Sequence, residues 1–189
     1  MMLDATQNFE KELTIERLFD WHSSLFPTGK TGMQKIRVGV FRNDAKGKMQ
    51  VVSGVLGKEK IHYQAPNAEN LEKEMQVFLE WLNNKQNKEQ EIDPLLKAAV
   101  AHFWFLTIHP FEDGNGRMAR AIADMMLTRA DQTKNRFYSM SSQIRLQRKE
   151  YYTILEHSQK QTIDITDWLE WFLNCLLEAL YSSDTICKI

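Results

Sequence analysis

The chain has 189 residues, enough for one domain with a hydrophobic core. Lys and Arg number 24 against 25 Asp and Glu, and the net charge of −1 argues against nonspecific nucleic-acid binding through a basic surface. Two cysteines, Cys175 and Cys187, do not make a disulfide scaffold. The first residues given lack the basic and apolar pattern of a signal peptide, and the most apolar stretch, 95–108, is too short to span a bilayer. We therefore expect a cytoplasmic protein without nucleic-acid or membrane partners.

The first third of the chain predicts a helix followed by β-hairpins. Thr14 is a suitable N-cap, and apolar residues follow it at helical spacing, namely Leu18, Trp21 and Leu25. A loop rich in glycine and proline covers 26–32. Alternation or valine content then predicts strands at 36–41, 50–55 and 60–63. We expect these strands to form one or two hairpins.

From residue 67 onward the pattern is helical. A helix is predicted over 67–82, followed by a polar loop over 83–91. Asp93 as N-cap and Pro94 at the first helical position then begin a helix that reaches about Ile108 and is apolar on nearly all sides. Further helices are predicted at 116–128, 146–159 and 166–181, and loops at 109–115 and 131–136. The fold class is therefore mainly α, a helical bundle with a buried central helix and a small β-hairpin.

The last predicted helix carries an apolar stripe that we interpret as core. Its members are Trp168, Leu169, Phe172, Leu173, Leu176, Leu177 and Leu180. Cys175 lies on the same stretch and is expected to be a small buried hydrophobe.

The run from His109 to Arg120 reads His-Pro-Phe-Glu-Asp-Gly-Asn-Gly-Arg-Met-Ala-Arg and contains residue types suited to binding a polyphosphate. Gly114 and Gly116 allow the backbone to approach an anion closely and can take a positive φ. The predicted helix that follows would direct its first N–H groups back at the loop, which makes its N-terminus an anion site.

The side chains of the same run add charge and a base. Asn115 can donate from its amide, and Arg117 and Arg120 are permanent cations that suit phosphate oxygens. Asp113 is a candidate Mg²⁺ ligand. His109 is the side chain in the run that can take up a proton near neutral pH.

Two weaker motifs fail on their context. The run Gly29-Lys30-Thr31 is similar to the end of a P-loop, but Ser24 stands where that pattern needs a glycine. A relaxed dinucleotide fingerprint begins at Gly114, but a helical segment and not a strand precedes it. The remaining histidines lack metal-ligand spacing and are interpreted as structural or exposed, with His62 set apart because it lies in the hairpin region.

The run matches, at every defining position, the Fic-family signature His-x-Phe-x-(Asp/Glu)-Gly-Asn-Gly-Arg-x-x-Arg. The chain therefore resembles a Fic domain, and 21–180 resembles the core of longer bacterial Fic proteins, including 49–54 and 137–142. The resemblance implies a single Fic/DOC-type domain over 1–189, with its flap at about 50–63 and its signature loop at 109–120. It also implies a protein adenylyltransferase that moves AMP from ATP, with Mg²⁺, to a Tyr, Thr or Ser hydroxyl of a target protein.

The resemblance assigns roles to the signature residues. His109 would take the proton of the attacking hydroxyl, and Asp113 would hold Mg²⁺ against the α- and β-phosphates. The anion hole would comprise Gly114, Asn115 and Gly116, with Asn115 on the α-phosphate. Arg117 would bind the β-phosphate and Arg120 the γ-phosphate.

Other segments receive roles from position and resemblance. Phe111 is expected to anchor the signature loop to the core. In the family the flap pairs with an extended piece of the target by strand addition. Its candidate residues here are Gln50, Val51, Val52, Ser53, Gly54, Ile61, His62 and Tyr63. The segment 138–143 is the candidate adenine pocket.

Two alternatives stay open from the sequence. A Fic-type fold also serves transfer of UMP, GMP, phosphate or phosphocholine, and removal of AMP. A nucleotide-binding regulator without catalysis is the other alternative, although a pure binder does not need the base at His109.

Many Fic proteins carry an inhibitory helix with Ser/Thr-x-x-x-Glu-Gly/Asn, whose glutamate pairs with the second signature arginine, Arg120 here. Glu10 and Glu170 have the spacing, but Lys11 and Trp171 follow them where the motif needs Gly or Asn. We therefore expect no inhibitory glutamate within this sequence, and control by a separate inhibitory chain or an upstream segment.

We predict that Glu10→Gly leaves the rate of ATP turnover unchanged, because Glu10 does not occupy an inhibitory motif. The measurement compares ATP turnover of the two proteins, and a sharp rise in the variant would contradict the prediction.

Overall fold

The computed structural model describes residues 1–45, 47–55, 58–84, 92–133, 138–160 and 163–186. Its helices are α1 (Met2–Gln7), α2 (Ile15–Leu25), α3 (Leu71–Asn83), α4 (Pro94–Ile108), α5 (Asn115–Asp131), α6 (Met140–Leu146), α7 (Arg148–Lys160) and α8 (Thr166–Ile186). Its strands are β1 (Lys30–Thr31), β2 (Gln34–Lys35), β3 (Gln50–Ser53) and β4 (Lys60–Gln64), paired antiparallel as β1–β2 and β3–β4. The predicted class, mainly α with a small β-hairpin, is confirmed.

Helix α4 is the buried centre of the bundle, as predicted. The Asp93 carboxylate accepts hydrogen bonds from the N–H groups of Leu95 and Leu96 at 2.8 and 3.3 Å, which satisfies donors that a helix start leaves unpaired. The helix then packs against α3, α5 and α8. Because three neighbours cover it, its surface is apolar on nearly all sides.

Helix α8 closes the core over α4 through a fully buried tryptophan. Trp168 donates its indole N–H to the carbonyl of Ala99 at 2.9 Å and packs against the rings of His102, Phe103 and Phe172. The predicted stripe is correct for Trp168, Phe172 and Leu176, and Cys175 is buried as expected. It is wrong for Leu177 and Leu180, which are exposed; the buried face instead includes Trp171 and Ala179.

The strand predicted at 36–41 does not form, because backbone N–H groups of this segment donate hydrogen bonds to side chains elsewhere in the chain. Gly39 donates its N–H to His22, and Arg37 donates its N–H to the carboxylate of Glu112. These N–H groups are therefore not available to a partner strand. Gly39 also has φ 67, outside the extended region, and a Cβ there would lie 2.7 Å from the Ser23 hydroxyl.

The other predicted boundaries agree to within a few residues. The helix predicted at 146–159 corresponds to α7, whereas α1, α6 and the short strand pair β1–β2 were not predicted. Most of the loop predicted at 83–91, and residues 134–137, lie outside the described residues. Among the described helices, none combines the length and apolar character needed to cross a bilayer.

We predict that Trp168→Ala lowers the free energy of unfolding by about 3–5 kcal/mol, because it removes a large buried side chain and leaves a cavity against α4. The matched control is Tyr181→Ala on the same helix, where the ring is 65% exposed and the expected change is within about 0.5 kcal/mol. Urea denaturation of the three proteins measures both values. Equal losses for the two variants would show that Trp168 is not a core residue.

Candidate phosphate-binding site

The signature loop begins where α4 ends, at His109. This residue has φ 51 and ψ 57, the left-handed conformation that side chains other than glycine rarely adopt. Arg42 holds it there, since its Nε donates to the His109 carbonyl at 2.8 Å and its backbone N–H donates to the Pro110 carbonyl at 2.9 Å. The imidazole is therefore placed by a backbone turn that a second segment of the chain supports.

His109 is a neutral base in this arrangement. Its Nδ1 lies 3.2 Å from the Leu106 carbonyl, which can only accept, so Nδ1 carries the proton and Nε2 keeps its lone pair. Burial lowers the pKa of His109 to about 4, and the charge of Arg42 acts in the same direction against the Leu106 hydrogen bond and Asp113. The imidazole is thus unprotonated near neutral pH.

Phe111 anchors the middle of the loop in the core. Its ring is fully buried and stacks on His22, with ring centroids 4.1 Å apart and planes at 11°. Further rings surround it at 5.9–6.4 Å, namely those of Phe19, Phe41 and Phe105. These contacts support the anchoring role expected for Phe111.

The buried side chain of Asn115 stabilises the same loop through hydrogen bonds to its backbone. Its Oδ1 accepts the Phe111 N–H at 3.0 Å and its Nδ2 donates to the Phe111 carbonyl at 2.7 Å, while the residue is 2% exposed. The amide group has two N–H hydrogens, and this pairing uses one of them. Asn115 therefore determines the shape of the anion loop in addition to any contact it makes with a phosphate.

The two glycines of the loop differ in backbone conformation and in the space around them. Gly114 has φ 87, and a Cβ there would lie 2.9 Å from the ring of Phe26, so this position requires glycine. Gly116 is helical, and a Cβ there would meet no atom closer than the Arg120 Nη1 at 3.8 Å. Of the two glycines, Gly114 takes the positive φ that the residue type allows, and Gly116 does not. The missing side chain of Gly116 instead leaves room above the first turn of α5.

The first turn of α5 has the features of an anion site. No side chain caps the helix, and the N–H groups of Asn115 and Gly116 find no acceptor among the described residues. The Arg117 guanidinium lies 4.6 Å from the centre of the Phe26 ring, and its Nη2 is 4.0 Å from Asp113. No hydrogen bond or ion pair joins Arg120 to another described residue. Two cations and free N–H groups thus converge on one helix end.

Asp113 carries the carboxylate of the site. Its Oδ2 accepts from the Thr31 hydroxyl at 2.6 Å, its Oδ1 accepts the Gly114 N–H at 2.5 Å, and its carbonyl accepts from His22 Nε2 at 3.1 Å. Within the described residues no three His, Cys, Asp or Glu side chains form a metal cluster. Mg²⁺ commonly takes one or two carboxylates together with substrate phosphates, so the half-exposed Asp113 fits as the protein ligand of a nucleotide-bound ion.

The flap lies beside the signature loop. In the β3–β4 register Val51 pairs with Tyr63 and Val52 with Ile61, so His62 is the extra residue of a β-bulge. The Tyr63 hydroxyl donates to the Thr107 carbonyl at 2.7 Å, near the end of α4. The remaining predicted flap residues, Gln50, Ser53 and Gly54, belong to the same hairpin or its turn.

Tyr138, the first residue of the segment 138–143, lies at the far end of α5 from the signature loop. The Tyr138 hydroxyl donates to Asp131 at 2.9 Å, at the last residue of that helix. At 1.5 Å per residue this is roughly 24 Å from Asn115. Tyr138 is thus separated from the phosphate loop by the length of α5, and the assignment of 138–143 to the adenine pocket stays a prediction.

Neither glutamate with inhibitory spacing forms an ion pair with Arg120 among the described residues. Glu10 lines a groove of about 550 Å³ with Arg129, nine positions along α5 from Arg120, or roughly 13 Å of helix. Glu170 lines a different groove, between α7 and α8. These positions support the expectation that neither residue blocks Arg120.

Sequence reasoning missed Arg42 and underestimated His22. Arg42 directly follows a run that alternates like a strand, and nothing local marks it as buried. His22 accepts the Gly39 N–H at Nδ1, so its Nε2 carries the proton that binds the Asp113 carbonyl. Its place after Trp21 on an amphipathic helix was the available signal of burial.

Comparisons with known proteins agree with this structure. The model of the Fic/DOC family matches residues 12–127. A protein of Nematostella vectensis named protein adenylyltransferase Fic is 35% identical over 125 residues, which is 64% of this chain and 27% of that protein. One of Drosophila mojavensis with the same name is 33% identical over 106 residues, 56% of this chain and 19% of that protein. The chain thus spans about a quarter or less of the length of these relatives.

Solved structures show the same fold. A Fic family protein from Desulfovibrio desulfuricans G20 aligns with a TM-score of 0.74 at 24% identity, over 100% of this chain and 52% of its own. A Fic domain containing signaling protein from Bacteroides thetaiotaomicron aligns with a TM-score of 0.71 at 22% identity, over 96% of this chain and 66% of its own. With the family model covering more than half of the sequence and the signature loop assembled as described, the chain belongs to the Fic/DOC family.

Proposed function

We propose that the protein is an adenylyltransferase that moves AMP from ATP to a hydroxyl of a target protein. The observation that carries the proposal is one arrangement, in which the neutral imidazole of His109 stands at one end of a loop whose other end is an open, doubly cationic helix start. Relatives over part of this chain bear the name protein adenylyltransferase Fic, which supports the same reaction.

Different residues of the site would bind different phosphates of ATP. The free N–H groups of Asn115 and Gly116 would bind the α-phosphate, where negative charge grows in the transition state. Arg117 would bind the β-phosphate of the leaving pyrophosphate, and Arg120 would bind the γ-phosphate. Fixed cations at both positions would orient ATP with its α-phosphorus toward the attacking hydroxyl.

His109 would supply the base. Its Nε2 would take the proton of the target hydroxyl as the oxygen attacks phosphorus. Because the imidazole is neutral before the reaction, no proton has to leave it first. Asp113 would hold a Mg²⁺ ion carried by the nucleotide, which would neutralise charge on the phosphates.

The flap would bind the target. Its hairpin is fixed beside His109 through Tyr63 and Arg42, and Val52 and Ile61 are about half exposed on it. An extended segment of a target added to the edge of this hairpin would be held by backbone hydrogen bonds. Its hydroxyl would then enter next to the loop.

We predict that His109→Ala lowers the rate of pyrophosphate release from ATP by about 10²–10⁴-fold, the usual contribution of a general base, while ATP still binds. The rate is the steady-state rate with Mg²⁺ and ATP, which leaves out any single transfer to the protein itself, and binding is measured by calorimetry. The matched control is His157→Ala, an exposed histidine of α7 that should leave both values unchanged. Pyrophosphate release at the wild-type rate in His109→Ala would show that His109 is not the base.

We predict that Gly116→Ala and Gly114→Ala separate activity from stability. An alanine at Gly116 has room in the fold and suits a helix, so the free energy of unfolding should change by no more than about 1 kcal/mol. Its methyl group would occupy the anion cradle, and pyrophosphate release should fall about 10²-fold, the scale of losing one such donor.

Gly114→Ala should instead lower the free energy of unfolding by roughly 1–3 kcal/mol, because it combines a positive φ with a clash against Phe26. Thermal or urea unfolding and pyrophosphate release are measured on the same preparations. A Gly116→Ala protein with normal stability and full activity would show that the phosphate does not lie over the first turn of α5.

A further inference from the structure

A chain of three polar side chains runs from the flap to α7. The Ser53 hydroxyl, at the end of β3, lies 2.5 Å from His62 Nε2, and His62 Nδ1 is hydrogen-bonded to Oε2 of Glu156. The second oxygen of that carboxylate contacts the Nζ atoms of Lys160 at 2.5 Å and Lys60 at 3.5 Å. The order is that of a nucleophile, a base and a carboxylate that orients the base.

The partners determine which atoms carry protons. Hydrogen bonds from Lys160 and His62 lower the pKa of Glu156 to about 2, so this carboxylate is ionised and only accepts. The proton in its bond with His62 therefore belongs to Nδ1. In neutral His62 the lone pair then lies on Nε2 and accepts the hydrogen of the Ser53 hydroxyl.

The hairpin is built so that these groups meet. The bulge leaves His62 without a counterpart on β3, and a bulge redirects the side chain of its extra residue. Gly54, directly after Ser53, has φ 113, and a Cβ there would lie 2.8 Å from the Lys58 carbonyl. The chain turns sharply at this point, and Ser53 is left exposed at the end of its strand.

We propose that Ser53 is an activated serine that accepts the AMP group, with His62 as its base and Glu156 as a positioning residue. This acceptor role rests on the proposed adenylyl transfer. In the step, Ser53 Oγ attacks the α-phosphorus of ATP and forms an O–P bond. The bond from phosphorus to the oxygen that bridges to the β-phosphate breaks, and pyrophosphate leaves. The hydroxyl proton moves to His62 Nε2, and Glu156 stabilises the imidazolium.

The modification would act on target docking. It would place a bulky, negatively charged group on the end of β3, in the hairpin where an extended target segment would add. A chain modified at Ser53 would therefore bind targets less well.

The nucleophile is tested without ATP, using a fluorophosphonate probe that labels activated serines. On the full chain we expect labelling at Ser53, absent in Ser53→Ala and about 10²-fold slower in His62→Gln, since glutamine keeps hydrogen bonding but is not a base. Glu156→Gln should also slow it. The matched control is Ser24→Ala, an exposed serine whose hydroxyl donates to the Asp20 carbonyl at 2.9 Å, and its labelling should equal that of the wild type. Thermal unfolding checks that each variant is folded.

The acceptor is tested with Mg²⁺ and ATP by peptide mass spectrometry. We expect AMP on the peptide that contains Ser53, lost in Ser53→Ala and reduced in His62→Gln. Probe labelling that is absent from Ser53, or equal in His62→Gln, would overturn the activation of this serine. Pyrophosphate release without AMP on Ser53 would overturn its acceptor role. Probe labelling of Ser53 without any pyrophosphate release would instead contradict the proposed transferase function and support the activated serine.

Discussion

The site depends on one buried cation, the guanidinium of Arg42. The residue is 3% exposed, and its nitrogens donate to the carbonyls of His109 and Pro66 and to the carboxylate of Asp44. A buried charge is costly unless hydrogen bonds replace its hydration. The end of α4 and the base of the flap are therefore held to the same side chain, and moving either one would leave part of the charge unsatisfied.

This constraint explains how a residue with a strained backbone is held at the end of α4. His109 adopts a left-handed backbone at the end of α4, a conformation that costs about 1–3 kcal/mol and persists only where neighbours enforce it. The hydrogen bonds from Arg42 on one side, and the stacked ring of Phe111 with the amide of Asn115 on the other, supply that enforcement. The loop is rigid toward the core and open toward the start of α5, as a preorganised anion site requires.

The flap is also held in place by hydrogen bonds to distant parts of the chain. One anchor, the Tyr63 hydroxyl on the Thr107 carbonyl, attaches it to α4, and the other, His62 on Glu156, attaches it to α7. A hairpin of this size is marginal by itself, so these two anchors hold it in place. The second anchor also orients His62, whose other ring nitrogen is hydrogen-bonded to the Ser53 hydroxyl.

Local signals in the sequence determined much of this protein. The cap at Asp93, the proline after it and the continuous apolar run define α4 to the residue, and the order of histidine, glycines and arginines in the signature loop predicts an anion site with a base. Each of these signals acts over a few positions of the chain, so it can be recognised without knowing the fold.

Only the tertiary structure decided which groups meet across long separations. The run 36–41 has the alternation of a strand, yet its N–H groups bond to His22 and Glu112, and no local pattern reports that competition. In the sequence Arg42 looks like a surface residue, but in the fold its guanidinium donates to the carbonyls of His109 and Pro66. Glu156 reaches His62 from 94 positions away along the chain. Hydrogen-bond partners that distant are selected by packing, because the energy of a buried polar group depends on what surrounds it after the chain has folded.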